Sequence, residues 1–250
     1  MGEVRLEREG AVALVTLAAP ERRNAFTPAM VAELLEICEE VDRDPAVGAA
    51  VIRGEGESFC SGAHRDQLRA AGKDPVHPDH YAAVSGTYGA FVRVGELKVP
   101  TVAAVRGHAV GAGVNLMLAT DLRVVAEDAR IMTGFARIGI HPGGGHFALL
   151  GRLGGREATA AMSLFGVEID GRRAAELGIA WEAVPADRVE TRALELAAQA
   201  AGDPELARQA VHSFRLELGP PALAWPAALE TERAVQAWSL RRREVRGGES

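Results

Sequence analysis

Short apolar runs typical of β-strands alternate with helical segments up to about residue 184, and this alternation limits the fold more than any other feature of the chain. The first run, VRLEREGAVALVTLAAP, has two β-rich halves around the Glu9-Gly10 pair and predicts a hairpin. The Thr27-Pro28 pair then supplies an N-cap and a first-turn proline for a helix with apolar residues at helical spacing. Another strand is predicted at residues 101–105. Strands that alternate with helices form parallel sheets with right-handed crossovers, so we predict an α/β fold.

The composition changes near Pro185. Beyond this point the chain is rich in Ala, Leu and Glu and has a helical pattern, divided by Pro204 and by the Pro220-Pro221 pair. A chain of 250 residues is long enough for one large domain with a small appendage. We therefore predict a core formed by residues 1–185 and a C-terminal helical region formed by residues 186–250.

Charge and cysteine content disfavour several classes of partner. The net charge is −6, and the one dense basic run, at 241–243, is typical of a solvated tail, so we expect no nucleic-acid partner. The two cysteines, Cys38 and Cys60, form neither a CxxC pair nor a metal-ligand cluster. The N-terminus has no apolar signal region, and no apolar window approaches a membrane-spanning length. We expect a cytoplasmic protein without a membrane partner or a bound metal.

Two short runs of small residues each follow a predicted strand. Gly111, Ala112 and Gly113 lead directly into a helix, where unpaired backbone N–H groups and the helix dipole favour an anion or a developing oxyanion. Taken alone, this run is more typical of tight packing of a strand on a helix than of an anion site. A phosphate-binding P-loop is excluded because no GK[ST] follows, and a dinucleotide fingerprint lacks its third glycine. The second run, FCSGAH at 59–64, means that two loops could each give one N–H to a single carbonyl oxygen.

Three longer segments carry a family resemblance. FCSGAH, PTVAAVRGHAVGAGVNLMLATDLRVVAEDARI and IGIHPGGGHFALLGRLGG resemble, in order, the signatures of the crotonase, or enoyl-CoA hydratase/isomerase, superfamily. The resemblance implies a spiral of ββα units with two roughly perpendicular sheets and a C-terminal helical region. It also implies a homotrimer or homohexamer, in which the C-terminal helices build the contact between subunits and cap the site. A simple intrachain core is the alternative role for those helices.

The implied ligand is an acyl-CoA thioester, which is the substrate, and no cofactor is expected. By position, the backbone N–H groups of Ala63 and Ala112 would flank the thioester oxygen and stabilise an enolate. Losing one such donor typically costs roughly a hundred- to a thousandfold in rate. Ala112 can serve only if its φ is negative. The resemblance also predicts a set of residues beside coenzyme A: Arg22, Arg23, Ala25, Phe59, Ser61, Gly62, Ala63 and Gly111.

The positions that define a hydratase carry other residues here. The resemblance places the two acid–base glutamates at Asn115 and Phe135, and the aspartate of dienoyl isomerases at Gly143. Asparagine can hydrogen-bond a water or a carbonyl but cannot take up a proton near neutral pH, and phenylalanine can do neither. These residue types argue against ordinary hydration or double-bond migration.

Histidine is the usual proton carrier near neutral pH, so each histidine near the expected site is a candidate acid or base. His64 directly follows the first oxyanion residue; a loop position beside coenzyme A or solvent is favoured over catalysis. For His146, catalysis and a packing or capping role are equally supported. His77 and His80 have the spacing of a metal pair, but no third ligand is evident, so we predict no zinc site.

The shape of the acyl pocket is expected to depend on residues 73–97, where a helix is predicted at 81–97. Tyr81 and Tyr88 lie in that helix, and core packing is favoured over acid catalysis for both. Two functions remain open. The chain is either an acyl-CoA enzyme of this superfamily that is not an efficient hydratase, or a catalytically degenerate protein that binds acyl-CoA.

Overall fold

The structure is a computed structural model that describes residues 2–74 and 77–219. The predicted break at the Pro220-Pro221 pair and the basic run at 241–243 lie outside the described residues.

Two sheets form the centre of the molecule. The larger sheet has six strands in the order in which they occur along the chain: β1 (Val4–Glu9), β2 (Val12–Leu17), β3 (Ala49–Gly54), β5 (Thr101–Val105), β7 (Leu122–Ala126) and β9 (Glu182–Val184). The first two pair antiparallel with Glu9 opposite Val12, which confirms the predicted hairpin, and the other pairs are parallel. The smaller sheet is parallel and contains β4 (Ser58–Cys60), β6 (His108–Val110) and β8 (Arg130–Met132).

Each strand of the smaller sheet follows a strand of the larger sheet and is followed by a helix, so the chain repeats a ββα unit. The α/β prediction is confirmed. The helices are α1 (Pro28–Arg43), α2 (Arg65–Lys73), α3 (Pro78–Gly95), α4 (Ala112–Ala119), α5 (Phe135–Ile138), α6 (His146–Ser163), α7 (Gly171–Glu176), α8 (Val189–Ala201) and α9 (Pro204–Leu218). Short 3-10 turns at Pro20–Arg22 and Ala186–Arg188 complete the secondary structure of the described residues.

Local sequence signals explain where the early helices begin. The Thr27 hydroxyl accepts a hydrogen bond from the Met30 amide at 3.0 Å, and Pro28 occupies the first position of α1, as predicted. Helix α3 begins earlier than the predicted residue 81. His77 is the N-cap and Pro78 is the first helical residue. Proline suits this position because the N–H that it lacks would have no acceptor within the helix.

The described part of the C-terminal region contains α8 and α9, which both contact the core. Ala193, Ala197 and Ala201 of α8 are buried, and a Cβ added at Gly48 would lie 2.8 Å from the Ala201 Cα, so α8 packs tightly beside the larger sheet. This placement favours the intrachain-core role for α8. The Arg215 guanidinium of α9 bonds the Asp121 carboxylate at 2.6 and 3.0 Å. The division at residue 185 stays a prediction.

Candidate active site

The two loops of small residues lie against each other. A Cβ added at Gly62 would lie 2.7 Å from the Val110 carbonyl oxygen and 3.2 Å from the Ala112 nitrogen. A Cβ added at Gly113 would overlap the Cys60 carbonyl. Glycine is therefore required at both positions for the backbone after β4 to touch the start of α4. Gly62 also has φ +88°, a conformation that other residues rarely adopt.

The backbone around Ala63 is held by its neighbours and leaves the Ala63 amide free. The Phe26 amide donates to the Gly62 carbonyl at 2.8 Å, and the His64 amide donates to the Phe26 carbonyl at 3.0 Å. Ala112 is the first residue of α4, where an amide has no intrahelical acceptor. Within the described part of the chain, neither the Ala63 nor the Ala112 N–H has a hydrogen-bond partner. Ala112 is not among the residues with positive φ, so it has the negative φ that its N–H needs to serve as a donor.

Asn115 lies one turn further along α4, inside a buried hydrogen-bond network. Its Nδ2 donates to the Gly143 carbonyl at 3.1 Å, which orients the amide so that Oδ1 faces His146 Nδ1 at 2.7 Å. Because Oδ1 can only accept, His146 Nδ1 carries the proton. His146 Nε2 therefore accepts from the Ser163 hydroxyl at 3.0 Å. One N–H of the Asn115 amide is left over.

The His146 imidazole is neutral, and both of its ring nitrogens are hydrogen-bonded. Its side chain is 1 % exposed, and burial lowers its pKa to about 4. The Phe135 ring packs against the imidazole in an edge-on geometry, with ring centroids 5.0 Å apart. Since both ring nitrogens already bond protein groups, the structure favours the packing role of His146 over a catalytic one. Phe135 contributes apolar cover at the position where the resemblance places a glutamate.

His64 lies at the start of α2, where it caps the helix. Its Nδ1 faces the Asp66 amide at 3.4 Å. The side chain borders a cavity of about 310 Å³ beside Gln67 and His80. A larger open groove of about 780 Å³ lies between β1 and α1, but it is lined by carboxylates and shares no residue with the predicted site. The structure gives His64 a capping role and leaves its catalytic role a prediction.

The residues predicted beside coenzyme A differ in their burial and in their contacts with other residues. Arg22 forms ion pairs with Glu3 and Glu21, while Arg23 is exposed and has φ +55°. The Phe59 side chain is 0 % exposed and belongs to the core, so a side-chain contact with a ligand is excluded and only its backbone remains as a candidate. The others are Ala25 and Gly62, which are buried, and Ser61, Ala63 and Gly111, which are half-buried.

The two tyrosines of α3 do not pack as predicted. Tyr81 is 67 % exposed and Tyr88 is 36 % exposed, so core packing is wrong for Tyr81 and incomplete for Tyr88. The helix turns these positions outward, while Thr87 and Phe91 on the same helix are buried. The Tyr88 ring lies over Gly143, since a Cβ added at Gly143 would overlap the Tyr88 hydroxyl.

Asn24 supports the site, although sequence reasoning missed it. Its Oδ1 accepts from the Ala19 amide at 2.9 Å, and its Nδ2 donates to the carbonyls of Ser58 and Glu55 at 2.7 and 3.0 Å. These bonds tie the loop after β2 to the start of β4. The residue type is the signal that the sequence carries, because asparagine tolerates the left-handed region better than most residues, and Asn24 has φ +54°. Ser163, the partner of His146, carried no local signal.

Residues 2–74 and 77–219 contain neither a metal-binding cluster nor a membrane-spanning helix. No three His, Cys, Asp or Glu side chains in this part of the chain are grouped to hold a metal ion. No helix in the same residues is both long enough and apolar enough to cross a membrane.

Comparison with known proteins decides the family. A model described as enoyl-CoA hydratase/isomerase matches residues 7–248. The chain belongs to this family. A similar family member is a probable enoyl-CoA hydratase of Mycobacterium tuberculosis, EchA14, which is 39 % identical over 221 residues, 88 % of this chain and 82 % of that protein. The 1,2-epoxyphenylacetyl-CoA isomerase of Escherichia coli is 32 % identical over 210 residues, 82 % of this chain and 80 % of that protein.

Solved structures in the family have the same fold. An enoyl-CoA hydratase from Polaromonas sp. JS666 superposes with a TM-score of 0.86 at 27 % identity, over 96 % of this chain and 92 % of that chain. The crotonase resemblance is confirmed at the level of family and fold. The chain is thus a member of an acyl-CoA enzyme family that contains lyases and isomerases.

Proposed function

We propose that this chain is an acyl-CoA enzyme that stabilises a thioester enolate or oxyanion through the backbone N–H groups of Ala63 and Ala112. The observation that supports this most strongly is the contact between the two loops, in which a Cβ at Gly62 would lie 3.2 Å from the Ala112 nitrogen. Two unpaired amides on adjacent segments can donate to one oxygen without reorganisation when charge develops on it. The dipole of α4 adds partial positive charge on the Ala112 side.

The proposed reaction does not require the two glutamates of a hydratase. Asn115 and Phe135 stand at their positions and cannot exchange protons near neutral pH. His146, the neighbouring imidazole, is neutral and bonds Asn115 and Ser163 through its two nitrogens. We therefore propose that the chain is not an efficient hydratase. Decarboxylation and thioester or C–C hydrolysis are the reaction types that this arrangement leaves open, together with weak hydratase or isomerase activity.

A panel of CoA thioesters tests the proposal. Purified protein is assayed with enoyl-, malonyl- and β-keto-CoA esters, beside the variants A112P and A112G. Proline removes the N–H but fits a first helical position, whereas glycine keeps the N–H. We expect turnover of at least one ester, lost by roughly a hundred- to a thousandfold in A112P and retained in A112G. Turnover that is unchanged in A112P contradicts the proposed role of that amide.

A binding protein is the second candidate function. The closed network of Asn115, His146 and Ser163 favours it, because a site without a proton-carrying acid can hold a thioester without transforming it. Calorimetry with saturated and unsaturated acyl-CoA esters separates the two candidates. Tight binding without turnover of any ester supports the binding protein. A failure to bind any CoA ester contradicts both.

We also propose that the chain forms a homotrimer or homohexamer, as the family resemblance implies. Large apolar side chains on several elements are exposed in the single chain, among them Phe165 at 80 %, Trp181 and, on α9, Phe214 and Leu218. Apolar surface of this kind is typical of faces that other subunits cover. Light scattering coupled to gel filtration measures the mass: three or six times the chain mass is expected, and a monomer contradicts the proposal.

A further inference from the structure

The phenol of Tyr88 lies beside the turn that connects α5 to α6. A Cβ added at Gly143 would lie 2.9 Å from Tyr88 Cζ and overlap the hydroxyl. A Cβ added at Gly144 would lie 3.0 Å from Tyr88 Cδ1 and overlap Phe91. Any side chain at these two positions would displace the aromatic rings of α3. Because Gly143 and Gly144 have no side chains, the Tyr88 phenol can pack directly against the backbone of this turn.

The same turn is bonded to Asn115, so the Tyr88 phenol and the Asn115 amide both border this turn. Asn115 Nδ2 donates to the Gly143 carbonyl, and a Cβ at Gly144 would lie 3.2 Å from that nitrogen. Asn115 is one helical turn beyond Ala112, and side chains of a helix lean toward its N-terminus. Asn115 thus links two groups: it lies one turn from Ala112 on α4, and it bonds the turn over which the Tyr88 hydroxyl lies.

Tyr88 is accessible, unlike the residues of α3 that face the core. Its side chain is 36 % exposed, whereas Thr87 and Phe91 are buried. Within the described residues its hydroxyl has no hydrogen-bond partner. A phenol with an O–H that bonds no protein group, at the border of a buried network, can donate to a ligand and exchange its proton with water.

We propose that Tyr88 is a catalytic residue that donates the proton to the α-carbon of an enolate, and that the enolate arises from a malonyl-type thioester. This inference rests on the proposed oxyanion site. Among the nearby side chains, Asn115 and Phe135 cannot donate a proton in this way, and His146 is already bonded at both nitrogens. A malonyl-type substrate fits because forming its enolate needs no general base.

The step balances without an added co-reactant other than water. The bond from the α-carbon to the carboxylate breaks, CO₂ leaves, and the electron pair moves into the enolate held by the Ala63 and Ala112 amides. The Tyr88 O–H bond then breaks, its proton bonds the α-carbon, and the phenolate recovers a proton from water at its exposed edge. The net reaction consumes one proton and yields a saturated acyl-CoA and CO₂.

The test compares wild-type protein with Y88F and with the matched control Y81F, since the chain has only these two tyrosines and both lie on α3. CO₂ release from malonyl-CoA is measured, malonyl-CoA binding is followed by calorimetry, and thermal unfolding confirms that each variant is folded. We expect Y88F to lower kcat by roughly a hundredfold or more while KM stays within about threefold, as for loss of a general acid. We expect Y81F to match wild type.

The outcomes separate this inference from the proposed function. If wild type binds any acyl-CoA ester but releases no CO₂ from malonyl-CoA, or if Y88F retains the wild-type kcat, the role of Tyr88 is wrong while the acyl-CoA site stands. If neither malonyl-CoA nor another acyl-CoA ester binds, the proposed function fails, and the inference fails with it.

Discussion

Asn115 Oδ1 lies 2.7 Å from His146 Nδ1, and the Gly143 carbonyl fixes the orientation of the amide. This bond joins a side chain one turn inside α4 to the first residue of α6, which is 31 residues away in the sequence. Because the Ser163 hydroxyl occupies the other ring nitrogen, the three side chains form a closed polar unit in the core. A buried hydrogen-bond network of this kind favours one arrangement of the helices around it.

The stability of the protein should fall as the pH drops from about 6.5 to 4. His146 has a lowered pKa of about 4 in the folded chain, so the unfolded chain binds a proton first as the pH falls. The loss should reach roughly 3 kcal/mol at pH 4 and be absent above pH 7. Urea unfolding at a series of pH values measures it. The variant H146Q should be less stable at pH 7.5, but its free energy of unfolding should change less between pH 6.5 and pH 4. An equally steep pH dependence in H146Q would assign the effect to other groups.

Replacing Asn115 with aspartate should destabilise the fold at neutral pH. The carboxylate keeps an acceptor toward His146 but presents a second oxygen to the Gly143 carbonyl, where a donor is required. We expect N115D to cost about 1–3 kcal/mol, because a buried acceptor then faces an acceptor. The variant S163A removes only the donor to His146 Nε2 and should cost about 1 kcal/mol. Urea unfolding at pH 7.5 compares them, and an N115D variant as stable as wild type contradicts the assigned amide orientation.

The contact between the two loops should not tolerate a methyl group at Gly62. The added Cβ would lie 2.7 Å from the Val110 carbonyl oxygen, and the φ of +88° is strained for alanine. We expect G62A to lose about 1–3 kcal/mol of stability. Gly89 in α3 provides the control, since nothing lies within 4 Å of its added Cβ, and G89A should be neutral or more stable by up to about 1 kcal/mol. Equal stabilities of the two variants would disprove the close approach of the loops.

Helix α9 should depend on the pair formed by Arg215 and Asp121. Arg215 makes two bonds to the Asp121 carboxylate and also donates to the Leu97 carbonyl. The pair is half-buried, so removing one partner should cost about 1–3 kcal/mol, more than a surface ion pair. We expect R215A to expose α9 to limited proteolysis. The control R173A breaks an exposed pair with Glu176 and should change neither stability nor proteolysis. An R215A variant with the wild-type cleavage pattern contradicts this anchoring.

Local chemistry in the sequence predicted much of the fold. The Glu9-Gly10 turn, the Thr27 cap and the strand at 101–105 depend on neighbouring residues, and the structure confirms all three. The family resemblance was confirmed as well. The sequence does not decide the role of α8, because small residues such as Ala197 pack equally well in an intrachain core or against another subunit.

The candidate site was only partly predictable. The small-residue loops have local signatures, but the bonds from His146 to Asn115 and Ser163 join distant parts of the chain and depend on how the helices meet. The sequence favours core packing for Tyr88, because the apolar pattern of α3 does not show which face lies against the turn at Gly143. The roles of Ala63 and Ala112 in binding a thioester stay predictions.

The most direct test measures the carbonyl stretching frequency of an acyl-CoA thioester labelled with ¹³C at the carbonyl carbon, free and bound. Two converging N–H donors should polarise this bond and lower the frequency on binding in wild-type protein and in A112G, with a much smaller change in A112P. A bound thioester with the frequency of the free one, or an equal shift in A112P, would contradict the account.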